Sequence, residues 1–141
     1  METFKNFYLN NDGKWSMQSD NSKTIKTFLY VNKRLIGYGI LSTAFDPKYD
    51  WLQSVHINSK YRNRGYGSKI IKKLLKLSKR SVMVRVEPFE KSTGPLFDDE
   101  KTEILIKYYT RFGFKSIDPT RPQYMIFEKW MVASPGLSPR P

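Results

Sequence analysis

Polar and apolar positions divide this chain into short alternating stretches and two longer ones of helical spacing. Phe4, Phe7, Tyr8 and Leu9 predict a first strand. Trp15 and Met17 predict a second, across the turn Asn10-Asn11-Asp12-Gly13. The polar run from Gln18 to Lys23 reads as a loop, and no long amphipathic helix is visible before Thr24. Thr24–Val31 is a β-rich set with Ile25, Thr27, Phe28, Leu29, Tyr30 and Val31. Asn32-Lys33 turns it into Leu35–Ala44, so the pair predicts a hairpin. Gly37 and Gly39 in the second arm signal a bulge or a close backbone approach. After the turn Phe45-Asp46-Pro47-Lys48, Trp51–Ile57 predicts another strand.

Helical spacing begins at Gly65 and runs to Arg80, with Ile70, Ile71, Leu74, Leu75 and Leu77 on one side. Lysines cover the other sides, as a solvated helix face would have them. Ser81–Val86 predicts a short buried strand. Strand, helix and strand in that order imply a right-handed crossover and parallel pairing. Glu87 to Leu96 is irregular. Asp98 or Asp99 can cap the next helix, which carries Ile104, Leu105, Tyr108, Tyr109 and Phe112, and Gly113 ends it as a left-handed cap. Phe114–Ile117 and Gln123–Met131 predict the last strands.

Composition narrows the class. The 141 residues suffice for one domain with a sizeable core. It is expected over 1–131, with a disordered Pro- and Ser-rich tail over 132–141. A hydrophobic content of 39% and an aromatic content of 15% indicate a globular chain. The lack of cysteine excludes a disulfide frame, a thiol nucleophile and a cysteine metal site, and a single histidine excludes a histidine-rich cluster, so no metal is expected. The same lack fits a cytoplasmic protein. No apolar run approaches the roughly 20 residues of a membrane span, and the first residues have no signal-peptide segment. No membrane partner is expected. The net charge of +12 creates a field that draws polyanions. Coenzyme A, nucleic acid and an acidic protein surface all fit it.

One stretch carries the chemistry. Val55 to Ile71 reads as an apolar strand, a basic loop with two glycines, and a helix start. Backbone N–H groups unblocked by Cβ atoms would then meet the positive end of a helix dipole, which attracts phosphate. Lys60, Arg62 and Arg64 add positive charge. The string is not a P-loop, and Gly65-x-Gly67-x-x-Ile70 lacks the third glycine of a dinucleotide fingerprint. The alternative is a plain strand-to-helix turn with solvated basic residues.

Arg62-Asn63-Arg64-Gly65-Tyr66-Gly67 spells R-x-x-G-x-G. It resembles the acyl-CoA pyrophosphate loop of the GNAT acetyltransferase superfamily, Q/R-x-x-G-x-G/A. Tyr109-Thr110-Arg111-Phe112-Gly113-Phe114 resembles the Y-x-x-x-G-F helix ending of the same enzymes. The two motifs stand in the family's order, with a strand between. The resemblance covers Trp51–Phe127, takes in the hairpin Thr24–Ala44, and thins out before Thr24. It implies an α/β (α+β) fold of the GNAT type: a mixed, strongly twisted sheet of about six or seven strands with flanking helices. In that fold the parallel strands Leu52–Ile57 and Val82–Val86 splay to hold acetyl-CoA.

The resemblance also implies an acetyl-CoA-dependent N-acetyltransferase. The pantetheine arm would bond to backbone at Val55, His56 and Ile57. The pyrophosphate would sit on the N–H groups of Arg64, Gly65, Tyr66, Gly67 and Ser68, with Arg62 and Asn63 completing the loop. A side chain at Gly65 or Gly67 would obstruct the phosphates. Tyr109 matches the position that commonly donates a proton to the coenzyme's sulfur, and a phenol near ~10 stays protonated at neutral pH; the alternative is a core aromatic. The general base is open among His56, Glu87 and Asp50. An imidazole near ~6.5 suits the task, yet a lone strand histidine also fits plain partial exposure, and a water chain also serves. The region before Thr24 departs from the family, which has helices there forming one wall of the acceptor site. An open groove suits a macromolecular amine. Expected partners are acetyl-CoA and an amine acceptor, a protein among them, with the chain a monomer or homodimer. A different class also fits the charge: a catalytically inactive module that binds nucleic acid or an acidic partner.

Overall fold

The structure is a computed structural model, and it describes residues 1–10, 12–17, 23–86 and 99–129. The tail over 132–141, the base candidate Glu87 and the cap candidate Asp98 lie outside the described residues. The chain divides into two compact units, Met1–Arg80 and Ser81–Pro141. Eight strands and two α-helices among the described residues make it mixed α/β, the class the sequence implies. Two of the eight strands, Trp15–Ser16 and Lys115–Ser116, are only two residues long.

In the first unit, β1 (Glu2–Leu9), β2 (Trp15–Ser16), β3 (Thr24–Val31), β4 (Arg34–Ser42) and β5 (Asp50–Ile57) pair antiparallel in the order β2-β1-β3-β4-β5. The β3–β4 hairpin turns on Asn32 and Lys33, both with positive φ (51° and 69°). Two left-handed residues match the right-handed twist of the arms, as primed hairpin turns do. A 3-10 turn, Ser59–Tyr61, follows β5 and leads into α1 (Tyr66–Leu77). Helix α1 buries Ile70, Ile71, Leu74 and Leu75, each worth about 1.5–3 kcal/mol relative to exposure. Beneath them, β3 contributes Ile25, Thr27 and Leu29, all buried and two residues apart.

Both glycines of β4 mark close approaches. A Cβ on Gly39 would lie 2.6 Å from Ile70 Cγ2 and 2.7 Å from Leu74 Cδ1, so the glycine lets α1 settle on the sheet. A Cβ on Gly37 would overlap the backbone carbonyl of His56. The sheet irregularities fall beside the glycines rather than on them. Ile36 is the extra residue of β4 opposite Leu29 and Tyr30, and Gln53 is the extra residue of β5 opposite Ile40 and Leu41. Such bulges leave a residue unpaired and increase the local twist.

Helix α1 stops at Ser78, whose extended backbone (ψ 138°) ends the run earlier than its apolar spacing suggests. The Ser78 hydroxyl donates to Asp50 Oδ2 at 2.6 Å. Arg80 then gathers the loop after β4: its guanidinium donates to the carbonyls of Thr43, Asp46, Pro47 and Tyr49 at 2.8–3.0 Å and to Asp50 at 2.9 Å. The Asp50 carboxylate is buried in this ion pair, which gives it a structural task rather than the base role considered above. Arg80→Ala leaves that charge buried without its partner, so a loss of about 3–5 kcal/mol is expected. A urea midpoint shift with an unchanged slope checks it.

The second unit contains β6 (Val82–Arg85), α2 (Asp99–Thr110), β7 (Lys115–Ser116) and β8 (Tyr124–Phe127). Strand β8 pairs antiparallel with both β6 and β7. Gly113 ends α2 in the left-handed conformation (φ 104°), with its N–H on the Thr110 carbonyl and the Phe114 N–H on that of Tyr109. Phe114 is buried and packs edge-on against Tyr109, 5.5 Å between ring centroids.

Candidate active site

The end of β5, the 3-10 turn and the start of α1 bring ten of the sequence-predicted residues into one continuous turn of the first unit. Val55, His56 and Ile57 end the strand, and all three are half-buried. Asn58 follows, its N–H on the Ile36 carbonyl and its side-chain oxygen accepting the Lys60 N–H. Arg62 Nε donates to the Ile57 carbonyl at 3.1 Å. That bond ties the loop back to the strand, so Arg62 orders the turn from within. Arg64 is exposed and stands 5.8 Å from the Tyr61 ring centroid.

Backbone geometry explains the loop's composition. Asn63 and Gly65 both have positive φ, 64° and 83°. Asparagine tolerates this conformation better than most residues, and glycine adopts it without strain. Gly65 is also the N-cap of α1 and supplies no side-chain oxygen to the helix. In any helix the carbonyl four positions back is missing for the first-turn N–H groups, which is what makes a helix start receptive to an anion. No acidic residue stands in this turn, and Lys69 lies where the dipole disfavours a cation. Lys69 pairs instead with Glu2 of β1. A glycine N-cap, Gly67 in the first turn and a missing carboxylate each weaken the helix start. Together they fit an anion docked from outside. Among the described residues, a Cβ built on Gly65 meets nothing within 4 Å. The residues therefore fit a phosphate-bearing coenzyme.

Tyr109 lies on α2, in the second unit. Burial, with the neighbouring Tyr108 adding to it, pushes its phenol up to about 12. A phenol so raised is held in its neutral, proton-bearing form. Its ring contacts Tyr108 and Phe114 at 5.5 Å each, so it packs as well as carrying a hydroxyl. His56 stands on β5 against Tyr38, 5.4 Å between ring centroids.

Sequence reasoning missed two features. The bulge at Gln53 has no local signal, because Trp51-Leu52-Gln53-Ser54 contains neither glycine nor proline. The stack of His56 on Tyr38 depends on the β4–β5 register, which shifts by one residue at the Gln53 bulge. Among the described residues, no group of three or more His, Asp or Glu is placed to hold a metal, and no helix is long and apolar enough to cross a membrane.

Comparison with known proteins bears on the fold and the family. No curated protein matches the chain. Among solved structures, ElaA from Escherichia coli superimposes with a TM-score of 0.57 at 11% identity, covering 89% of this chain and 97% of that one. PaiA N-acetyltransferase from Thermoplasma acidophilum, solved in complex with coenzyme A, gives 0.54 at 14% identity, with 75% and 60% covered. A protein from Bacteroides thetaiotaomicron described as a GNAT-family acetyltransferase gives 0.50 at 22% identity; the match covers 67% of this chain and 48%, about half, of that longer one. At these identities the likeness is one of fold. The acetyltransferase (GNAT) family model matches residues 3–114, running across both units. The chain belongs to the GNAT acetyltransferase family.

Proposed function

We propose that this protein is an N-acetyltransferase that moves the acetyl group of acetyl-CoA directly to a primary amine, on a protein or another macromolecule. The observation that carries the reading is the start of α1. A left-handed glycine caps it without a side chain, no carboxylate competes, and the chain is a GNAT family member. The N–H groups of Arg64–Ser68 hold the pyrophosphate, Arg62 braces the loop, and backbone at Val55, His56 and Ile57 takes the pantetheine arm.

In the reaction the neutral amine nitrogen attacks the thioester carbonyl carbon. The C–S bond breaks, the amine loses a proton, and the leaving sulfur gains one. Tyr109 donates that proton. His56 or Glu87, or water, takes the proton from the amine. Among the described residues the early region forms strands, and no α-helix precedes α1. An acceptor side without such helices would suit a macromolecular amine, which supports the reading.

Incubation with acetyl-CoA and a cell extract, followed by mass spectrometry of the acetylated species, tests the acceptor class. Acetylated proteins are the expected product. Small polyamines modified as fast as any peptide would contradict the macromolecular reading. A second reading rests on the charge of +12: an inactive module that binds nucleic acid or an acidic partner. A raised melting temperature with acetyl-CoA favours the first reading, and its absence the second.

A further inference from the structure

In the first unit, alternate residues of the paired strands share a face. One face carries α1, as the contact of Gly39 with Ile70 and Leu74 shows. The opposite face presents a file of rings. Phe28 of β3 lies opposite Tyr38 of β4, and Tyr38 lies opposite His56 of β5. Phe7 of β1 extends the file. Centroid separations are 5.7 Å for Phe7–Phe28, 6.1 Å for Phe28–Tyr38 and 5.4 Å for Tyr38–His56. All four rings are half-buried, whereas the aliphatic side chains under α1 are fully buried.

Lysines stand among the rings. Lys5 faces Phe28 across β1–β3, and Lys26 faces Phe7. The Lys26 ammonium lies 4.6 Å from the Tyr38 centroid and 5.1 Å from that of Phe28, and the Lys5 ammonium lies 4.9 Å from that of Tyr30. The two ammonium groups thus lie over ring faces, where a cation is attracted to the π cloud, and a base would take their place there. The register puts Thr3, Leu9, Thr24, Ile40 and Ser54 among the remaining positions of this face, and no Asp or Glu on it. A packed core face would exclude the lysines. A merely solvated face would have no need of four rings in file.

Single-stranded nucleic acid uses both features, π faces for its bases and cations for its phosphodiesters. Sheet faces are suited to it because neighbouring strands set rings at spacings that successive bases can follow. Duplex DNA hides its base faces and would gain only the charge. An acidic polypeptide would likewise gain only the charge. We propose that this face binds single-stranded nucleic acid, with bases stacking on Phe28 and Tyr38 and the Lys5 and Lys26 ammonium groups turning to phosphates. Its stacking rings, Phe28 and Tyr38, lie on the face opposite α1, with His56 of the proposed transfer site at the end of the file, and it does not require acetyl transfer.

Fluorescence anisotropy of the full chain tests it, with labelled oligothymidylate and oligouridylate of about 15 nucleotides and a duplex of equal length. Both single strands are expected to bind, more tightly than the duplex by on the order of tenfold, with affinity falling as salt rises. Phe28→Ala and Tyr38→Ala are each expected to weaken binding about tenfold at an unchanged salt slope. Lys26→Gln, which leaves the rings in place if an alanine variant fails to fold, should lower the slope by about one. Equal binding of duplex or polyglutamate, no binding of either single strand, or binding lost with Lys72→Gln on α1 and kept in the ring variants would overturn the proposal. The acetyl-CoA melting shift, read on the same variants, reports on the transfer reading separately.

Discussion

Gly65→Trp is expected to abolish stabilisation by acetyl-CoA while leaving the domain folded. The two halves of this expectation rest on different observations. Gly65 has φ 83°, which costs an L-residue about 1–2 kcal/mol. That is a modest fraction of the ordinary 5–15 kcal/mol of a domain. Among the described residues a Cβ there meets no atom within 4 Å, and Gly65 is exposed, so the side chain starts outside the core. The room it takes is the space over the first turn of α1, where the pyrophosphate is proposed to sit. At a ligand concentration of ~100 times the dissociation constant, the wild-type chain should gain about 2.7 kcal/mol, seen as a raised melting temperature. In the variant that shift should vanish. Gly65→Ala shares the backbone cost without the bulk and should keep part of it, which separates obstruction from strain. A tryptophan variant that retains the full shift would move the coenzyme away from this turn.

The second large effect is kinetic. Tyr109→Phe is expected to lower kcat by about a hundredfold or more, the usual scale of a positioned acid, while acetyl-CoA affinity changes little. The phenylalanine keeps the ring that packs on Phe114 and removes only the hydroxyl. The phenol also leaves an alkaline signature. In the unfolded chain it ionises near ~10, and in the folded one near about 12. The folded state thus favours the protonated form. The stability linked to it is complete below ~10 and is lost as pH rises from there towards 12. Over that window Tyr109→Phe should remove an alkaline loss of about 2 kcal/mol from the denaturation profile. Unchanged turnover with a flattened alkaline profile would leave Tyr109 a packing residue alone.

Much of this was readable in the sequence because local chemistry enforces it. Asn32-Lys33 between two β-rich runs made a hairpin, and both residues are left-handed as such a turn requires. Gly113 after an apolar helical stripe made a left-handed cap. The loop at Arg62–Gly67 was readable because Gly65 stands at φ 83°, where a side chain is strained, and a second glycine follows in a first turn without a side-chain cap. What was hidden depends on distant partners. Asp50 looked like a free carboxylate near the loop, yet Arg80, thirty positions on, makes it part of a clamp. The bulge at Gln53 is fixed by the mismatch between β4 and β5, which neither strand records alone. The ring file on the face opposite α1 came only with the register: Phe7, Phe28, Tyr38 and His56 are scattered over fifty positions and meet across four strands.

The central claim is that the backbone at the start of α1 grips the phosphates of acetyl-CoA. Amide NMR spectra recorded through a titration with coenzyme A test it most directly. The claim predicts that the largest shifts fall on Gly65, Tyr66, Gly67 and Ser68, with the Lys72–Lys76 amides of the same helix little moved. Saturable binding that leaves those four amides unmoved would contradict it.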